Sequence, residues 1–139
     1  MRRSLFTAVV GAVALGLIAL AGPASARTEF DFSVINKQVA GHETENGFNF
    51  REQLFQIDNP SNQVGNDRVH CVRGNDHKAR CRAIVHLNGE VGGAGFLRVE
   101  GNFGPGDDRL NITAGTGDFA RAGGAVFADD HILTFDFSN

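Results

Sequence analysis

The feature that most constrains this chain is a recurrence. After residue 26, short stretches of alternating apolar and polar residues follow one another, each ended by a turn rich in Gly, Asn or Asp. No sustained helical period interrupts them, and alternation of this kind is the pattern of half-buried strands. Residues 27–39 place Phe30, Phe32, Val34 and Asn36 on one side, and residues 41–47 read as a polar turn. Residues 48–57 bring Phe48, Phe50, Glu52 and Leu54 to one face, because side chains in a strand repeat every second position. Asp58 to Asn62 breaks the chain. Strands over 68–73 and 80–87 flank a turn at 74–78, and Asn88-Gly89 predicts a two-residue hairpin connection. The next strand, 90–100, contains Gly92, Gly93 and Gly95, which in a strand mark bends. A turn at 104–107 and strands over 110–115, 124–128 and 131–137 complete eight. So many short strands in about 110 residues predict an all-β closed barrel or a sandwich. Closure also removes exposed sheet edges.

The first 26 residues stand apart. Arg2 and Arg3 precede an uninterrupted apolar run from Leu5 to Ala21, and Ala24-Ser25-Ala26 follows with the small-x-small pattern of a signal-peptidase site. The run is shorter than the roughly 20 residues of a spanning helix, so a secretory signal over 1–26 is expected rather than a retained anchor. The domain is then 27–139, and the location secreted or extracellular. Losing Arg2 and Arg3 makes the remaining chain more acidic than the whole, which already has net charge −3. An acidic domain lacks the basic excess that a nucleic-acid backbone or an anionic membrane surface requires, so neither is an expected partner.

Export also bears on the two cysteines. Centring the 74–78 turn on Asp76 sets Cys71 opposite Cys81, where opposed strand residues can be bridged, and an oxidising compartment favours the bond. A bridge between Cys71 and Cys81 is therefore expected. His42, His70, His77, His86 and His131 show no paired ligand spacing, so no metal is expected.

One run is more specific. Gly115-Thr116-Gly117-Asp118-Phe119-Ala120-Arg121-Ala122-Gly123-Gly124 resembles the G-T-G-x-[FY]-x-x-A-x-G segment of dirigent and allene oxide cyclase barrels. The stretch from Gly47 to Phe55 followed by Val64-Gly65-Asn66-Asp67 is similar to an early segment of that family. Cys71 and Cys81 resemble the paired cysteines of its secreted bacterial members, and the strand over 89–95 and terminal Leu133-Thr134-Phe135 also fit. The resemblance implies an eight-stranded antiparallel barrel of the allene oxide cyclase/dirigent type, without a cofactor. Its partner would be a small hydrophobic molecule, and a homo-oligomer, dimer or trimer, is compatible with it. The same run matches the G-x-G-x-x-A dinucleotide fingerprint, but that needs a long helix after it, and a strand pattern follows instead. The motif residues Gly115, Thr116, Gly117, Phe119, Ala122 and Gly123 are thus read as punctuation between strands.

Barrels of this family work by restricting the conformers of a molecule in an apolar cavity, so few polar motifs are expected. Three functions remain open: binding or conformational steering, a cofactor-free cyclase or isomerase, and a structural barrel with a filled interior. Glu52 is the candidate catalytic residue. If its strand face is the lumen, it is an acid in apolar surroundings with its pKa raised; if that face is outside, the Phe residues form an interface. Candidate ligand contacts are Phe30, Phe32, Asn36, Phe48, Phe50, Leu54 and Phe96. Arg98 shares the Phe96 side, and Glu29 and Asp31 share the polar side of the first strand. With 12 Phe and neither Trp nor Tyr, a bound molecule meets apolar rings, and no phenol is available for acid–base work.

Overall fold

A computed structural model describes residues 31–138; the leader expected over 1–26, as well as Glu29 and Phe30, lies outside the described residues. Eight strands follow in order: β1 (Phe32–Thr44), β2 (Gly47–Gln56), β3 (Gln63–Arg73), β4 (Ala79–Asn88), β5 (Ala94–Phe103), β6 (Arg109–Gly115), β7 (Gly124–Asp129) and β8 (Ile132–Phe137). Each pairs antiparallel with the next, and β8 returns to β1 to close the barrel. Among the described residues the one helical element is a single 3-10 turn, Gly117–Phe119.

Closure rests on Phe32 opposite Phe135 and Val34 opposite Leu133. Two polar contacts fasten the same seam. The Asp31 carboxylate accepts the Phe137 N–H at 2.9 Å, and the Ser33 and Thr134 hydroxyls lie 2.8 Å apart. Asp31 is thus held in a structural bond at the seam.

Several boundaries differ from the sequence expectation. The stretch 41–44 is strand, not turn, because Gly41 pairs with Phe50 and His42 with Asn49 across the hairpin; a bulge between Gln38 and Ala40 restores the register. β3 begins at Gln63, so Val64 to Asp67 lie in the wall. The Asn88-Gly89 connection is a longer loop, with Ala94 pairing to Asn88. Val91 packs on the core. Gly92 adopts φ 64°, and a Cβ there would sit 2.0 Å from the Phe32 ring, so tertiary packing draws the loop out. Gly92 and Gly93 therefore precede β5, while Gly95 is its second residue.

Alternation sorts the walls cleanly. On β4, Cys81, Ala83, Val85 and Leu87 are buried while Arg80, Arg82 and Ile84 face solvent. On β3, Asp67 and Cys71 point inward and Arg68 and His70 outward. Cys71 and Cys81 face each other with Cα atoms 4.1 Å apart and form the expected disulfide.

The interior has two unlike ends. At the end holding the start of β1 and the close of β8, Phe32, Phe119, Phe135 and Phe137 stack with centroids 4.7 to 6.4 Å apart. Val34, Leu54, Val64, Leu87 and Leu97 complete this fully buried plug. Burying each such side chain contributes about 1.5–3 kcal/mol. The Gly115–Gly124 run serves this end. Its turn inserts Phe119, and a Cβ on Gly115 would meet the Phe119 carbonyl oxygen at 1.9 Å, so no larger residue fits. No helix follows the run, so its match to a dinucleotide fingerprint has no structural counterpart. The opposite end, where β1, β3, β5 and β7 finish, is hollow.

Candidate active site in the barrel lumen

The hollow holds about 170 Å³. That is close to the roughly 150 Å³ of a cavity able to take a benzene ring, and below the roughly 300 Å³ where drug-sized pockets begin. Its walls are mostly apolar: Val69 and the disulfide on β3 and β4, Val85, Val99, Leu110 and Val126, with Phe50 and Phe103 among the lining rings. A completely filled interior is therefore confined to the plug.

Into this apolar hollow the adjacent strands β2 and β3 place two carboxyl groups. Glu52 and Asp67 are register partners, and only 8% and 3% exposed. Alternation puts both inside: Glu52 is two residues from Leu54, and Asp67 is four from Cys71. From β1, the Asn36 amide donates to Glu52 Oε1 at 2.9 Å. Burial, reinforced by the charge of neighbouring Glu52 and a hydrogen bond between the two side chains, pushes the Asp67 pKa up to about 8. Desolvation and a like charge both disfavour the carboxylate form of Asp67, so Asp67 keeps its proton at neutral pH.

The hydrogen-bond inventory points the same way. Asn36 Oδ1 and Asp67 Oδ1 are buried without a partner. Two acceptors without a donor are costly in a low-dielectric interior. A proton on Asp67 turns one acceptor into a donor.

Of the candidate residues from the sequence, the fold brings Asn36, Phe50 and Glu52 together around the hollow. Glu52 lies on the lumen side of its strand, which settles the two alternatives for that face. Four candidates are corrected. Phe32 and Leu54 belong to the plug: Phe32 stacks on Phe135, and Leu54, two residues beyond Glu52, is fully buried in the core. Phe48 is partly buried against the core without lining the hollow. Phe96 faces outward, 48% exposed, its ring tilted against His86 with centroids 4.6 Å apart. The cause is strand parity: β5 buries Leu97 and Val99, which leaves Phe96 and Arg98 outside.

Sequence reasoning missed Asp67, Gln38, Phe103 and Asp130, all of which line the hollow. Asp67 was within reach. Counting back in twos from the inward Cys71 passes Val69 and reaches it. The obstacle is the expected strand start at Arg68, one residue past Asp67, whereas β3 begins at Gln63.

The fold and site define a closed antiparallel barrel with a carboxyl pair buried in an otherwise apolar lumen. A solved structure of similar fold is that of a pyocyanin demethylase, with TM-score 0.61 and 18% identity over 78% of this chain and 100% of that one. At that identity the likeness concerns fold alone. No protein-family model matches the chain, and no curated protein is significantly similar to it.

Proposed function

We propose that this barrel is a cofactor-free isomerase or cyclase that takes a small, mainly apolar molecule into its lumen and moves a proton on it. The observation that carries the reading is the Glu52–Asp67 pair, two carboxyl groups buried side by side in the lumen. In this reading Glu52 accepts a proton from the substrate. Asp67, held protonated, donates one at a second atom. The two exchanges balance, and the hydrogen bond between the acids returns the proton from Glu52 to Asp67. Two buried groups with separated proton affinities are the usual basis of such acid–base work. Asn36 orients the Glu52 carboxylate, and the rings of Phe50 and Phe103 exclude water.

Other features support parts of this reading. The neighbour of similar fold is named for an enzyme that acts on a small molecule, pyocyanin. The disulfide is compatible with an exported protein carrying a cleaved leader. Membership of the dirigent and allene oxide cyclase family is part of the proposal, supported by the Gly115–Gly124 run at the barrel's closed end. Conformational steering without proton transfer is the second reading, favoured by the largely apolar lumen wall.

Proton transfer is tested by incubating the protein with a metabolite extract in deuterated water and comparing products by mass spectrometry. The wild type is expected to convert at least one compound to a deuterium-labelled isomer, and Glu52→Gln to lose that conversion. No labelled product, or equal labelling by Glu52→Gln, would refute proton transfer. Conversion without label, retained in Glu52→Gln, would select steering.

A further inference from the structure

Resting on the lumen as a small-molecule site, we propose that it selects a ligand of about one ring carrying a cationic or neutral N–H donor group, and rejects anions. The charge inventory of the hollow carries this. Its polar lining is Asn36, Gln38, Glu52 and Asp67, with Asp130 at the mouth. Among the described residues no Lys, Arg or His lines it.

The chain has cations on those same walls, and strand parity turns them away. Arg51, Arg68, Arg80 and Arg82 all sit on β2 to β4, and all are exposed on the outer face. An anion entering the hollow would lose its hydration, meet a carboxyl pair and find no counter-charge, a combination that apolar contact does not offset. A ligand N–H instead meets acceptors. Asp67 lines the hollow, is 97% buried by its 3% exposure, and has an Oδ1 without a partner. Asn36 Oδ1 on the opposite side of Glu52 is also unpartnered. A donor reaching these oxygens supplies the partner that both acceptors lack.

The volume limits the ligand as firmly as the charge does. About 170 Å³ accepts one aromatic ring with a short substituent, so a larger molecule would leave its remainder at the Asp130 mouth.

The charge preference carries a proton linkage. The titratable groups facing Asp67 across the hollow are Glu52 and, at the mouth, Asp130; the linings from β1 and from β4 through β8 offer none that titrates. A bound cation favours the ionised pair, so its binding releases a proton below the Asp67 pKa of about 8 and strengthens as pH rises towards that value. A neutral ligand has no such dependence.

Three probes of similar size test this: benzamidinium, benzyl alcohol and benzoate. Binding is read from amide shifts of the isotope-labelled protein and from calorimetry between pH 6 and pH 9. Benzamidinium stays protonated throughout that range. It should bind at least about tenfold more tightly than benzoate, a difference of about 1.4 kcal/mol. Its affinity should rise with pH, and benzyl alcohol should fall between the other two with a flat profile. Asp67→Asn should weaken benzamidinium and flatten its profile while keeping benzyl alcohol. Glu52→Gln provides a second variant, expected to weaken benzamidinium likewise and to shift its pH profile without abolishing it, should Asp67→Asn fail to fold. Benzoate binding as well as benzamidinium would overturn the ligand class while leaving the lumen site intact. A cation preference that survives both variants would also overturn it. If no probe shifts residues around the hollow, the lumen reading itself falls, and this inference with it.

Discussion

The two ends of the barrel are made from the same strands, yet one is solid and the other hollow. At the solid end, four Phe rings and their aliphatic neighbours fill the cross-section. At the hollow end the inward positions carry Ala83, Val85, Val99 and a disulfide, which are too small to meet in the middle. The difference teaches how a small barrel divides its labour. Stacked aromatic rings fill one end, and the smaller side chains at the centre of the other leave room for two carboxyl groups that a filled core would not tolerate. An eight-stranded barrel is the size at which either outcome is open.

The sharpest way to break this contrast is to truncate a ring at each end. Phe135→Ala should cost about 3–5 kcal/mol in urea unfolding, since Phe135 is fully buried. Phe50→Ala, bordering the hollow, should cost less than half as much. Equal costs would show that the hollow end carries as much packing energy as the plug.

The disulfide comes next. Replacing Cys71 and Cys81 by Ala should destabilise by about 2–3 kcal/mol, because the bond closes a short loop. The added effect of losing a hollow wall should appear as weaker probe binding. Stability unchanged within about 0.5 kcal/mol would show that the bond does not hold that end together.

A pH titration probes the carboxyl pair directly. The fold raises the Asp67 pKa from 3.8 to about 8, so between those values the folded chain holds a proton that the unfolded chain has released. This contribution is full below about pH 4 and is lost as pH rises towards about 8, with a limiting slope of about 1.4 kcal/mol per pH unit. Thermal unfolding should therefore show a decline over this window that Asp67→Asn removes. A wild-type profile parallel to that of the variant would show that the fold does not hold a proton on Asp67.

The smallest effect should come from outside the barrel. Phe96→Ala should change stability by less than about 0.5 kcal/mol and leave probe binding intact, because the ring lies on the outer face. A loss of binding there would place part of the site outside the lumen.

Particular residues show how much was legible beforehand. Cys71, Asp76 and Cys81 encode their own hairpin, since turn chemistry and strand parity act over a few neighbouring residues. Glu52 was legible as one face of a strand, but whether that face looked inward was not. Alternation defines two sides and carries no label for the lumen. Leu54 and Glu52 share a face yet end in different environments, plug and hollow, because depth along the barrel depends on the stagger of all eight strands. Phe96 fails for the same reason: its facing follows from which of two parities closes the sheet, a choice made by distant partners such as Val85 opposite Leu97.

Local chemistry in the chain was thus enough to determine an all-β chain of eight strands, its turns to within a few residues, and the Cys71–Cys81 bond, with barrel and sandwich both open to it. Only tertiary closure decided that Asp67 would stand against Glu52, that the arginines of the same strands would face away, and that one end would stay open. Strand identity is set by side-chain period and turn residues, which lie close in sequence. The meeting of acids from β2 and β3 depends on strand register and on barrel curvature, and neither is written in any single segment.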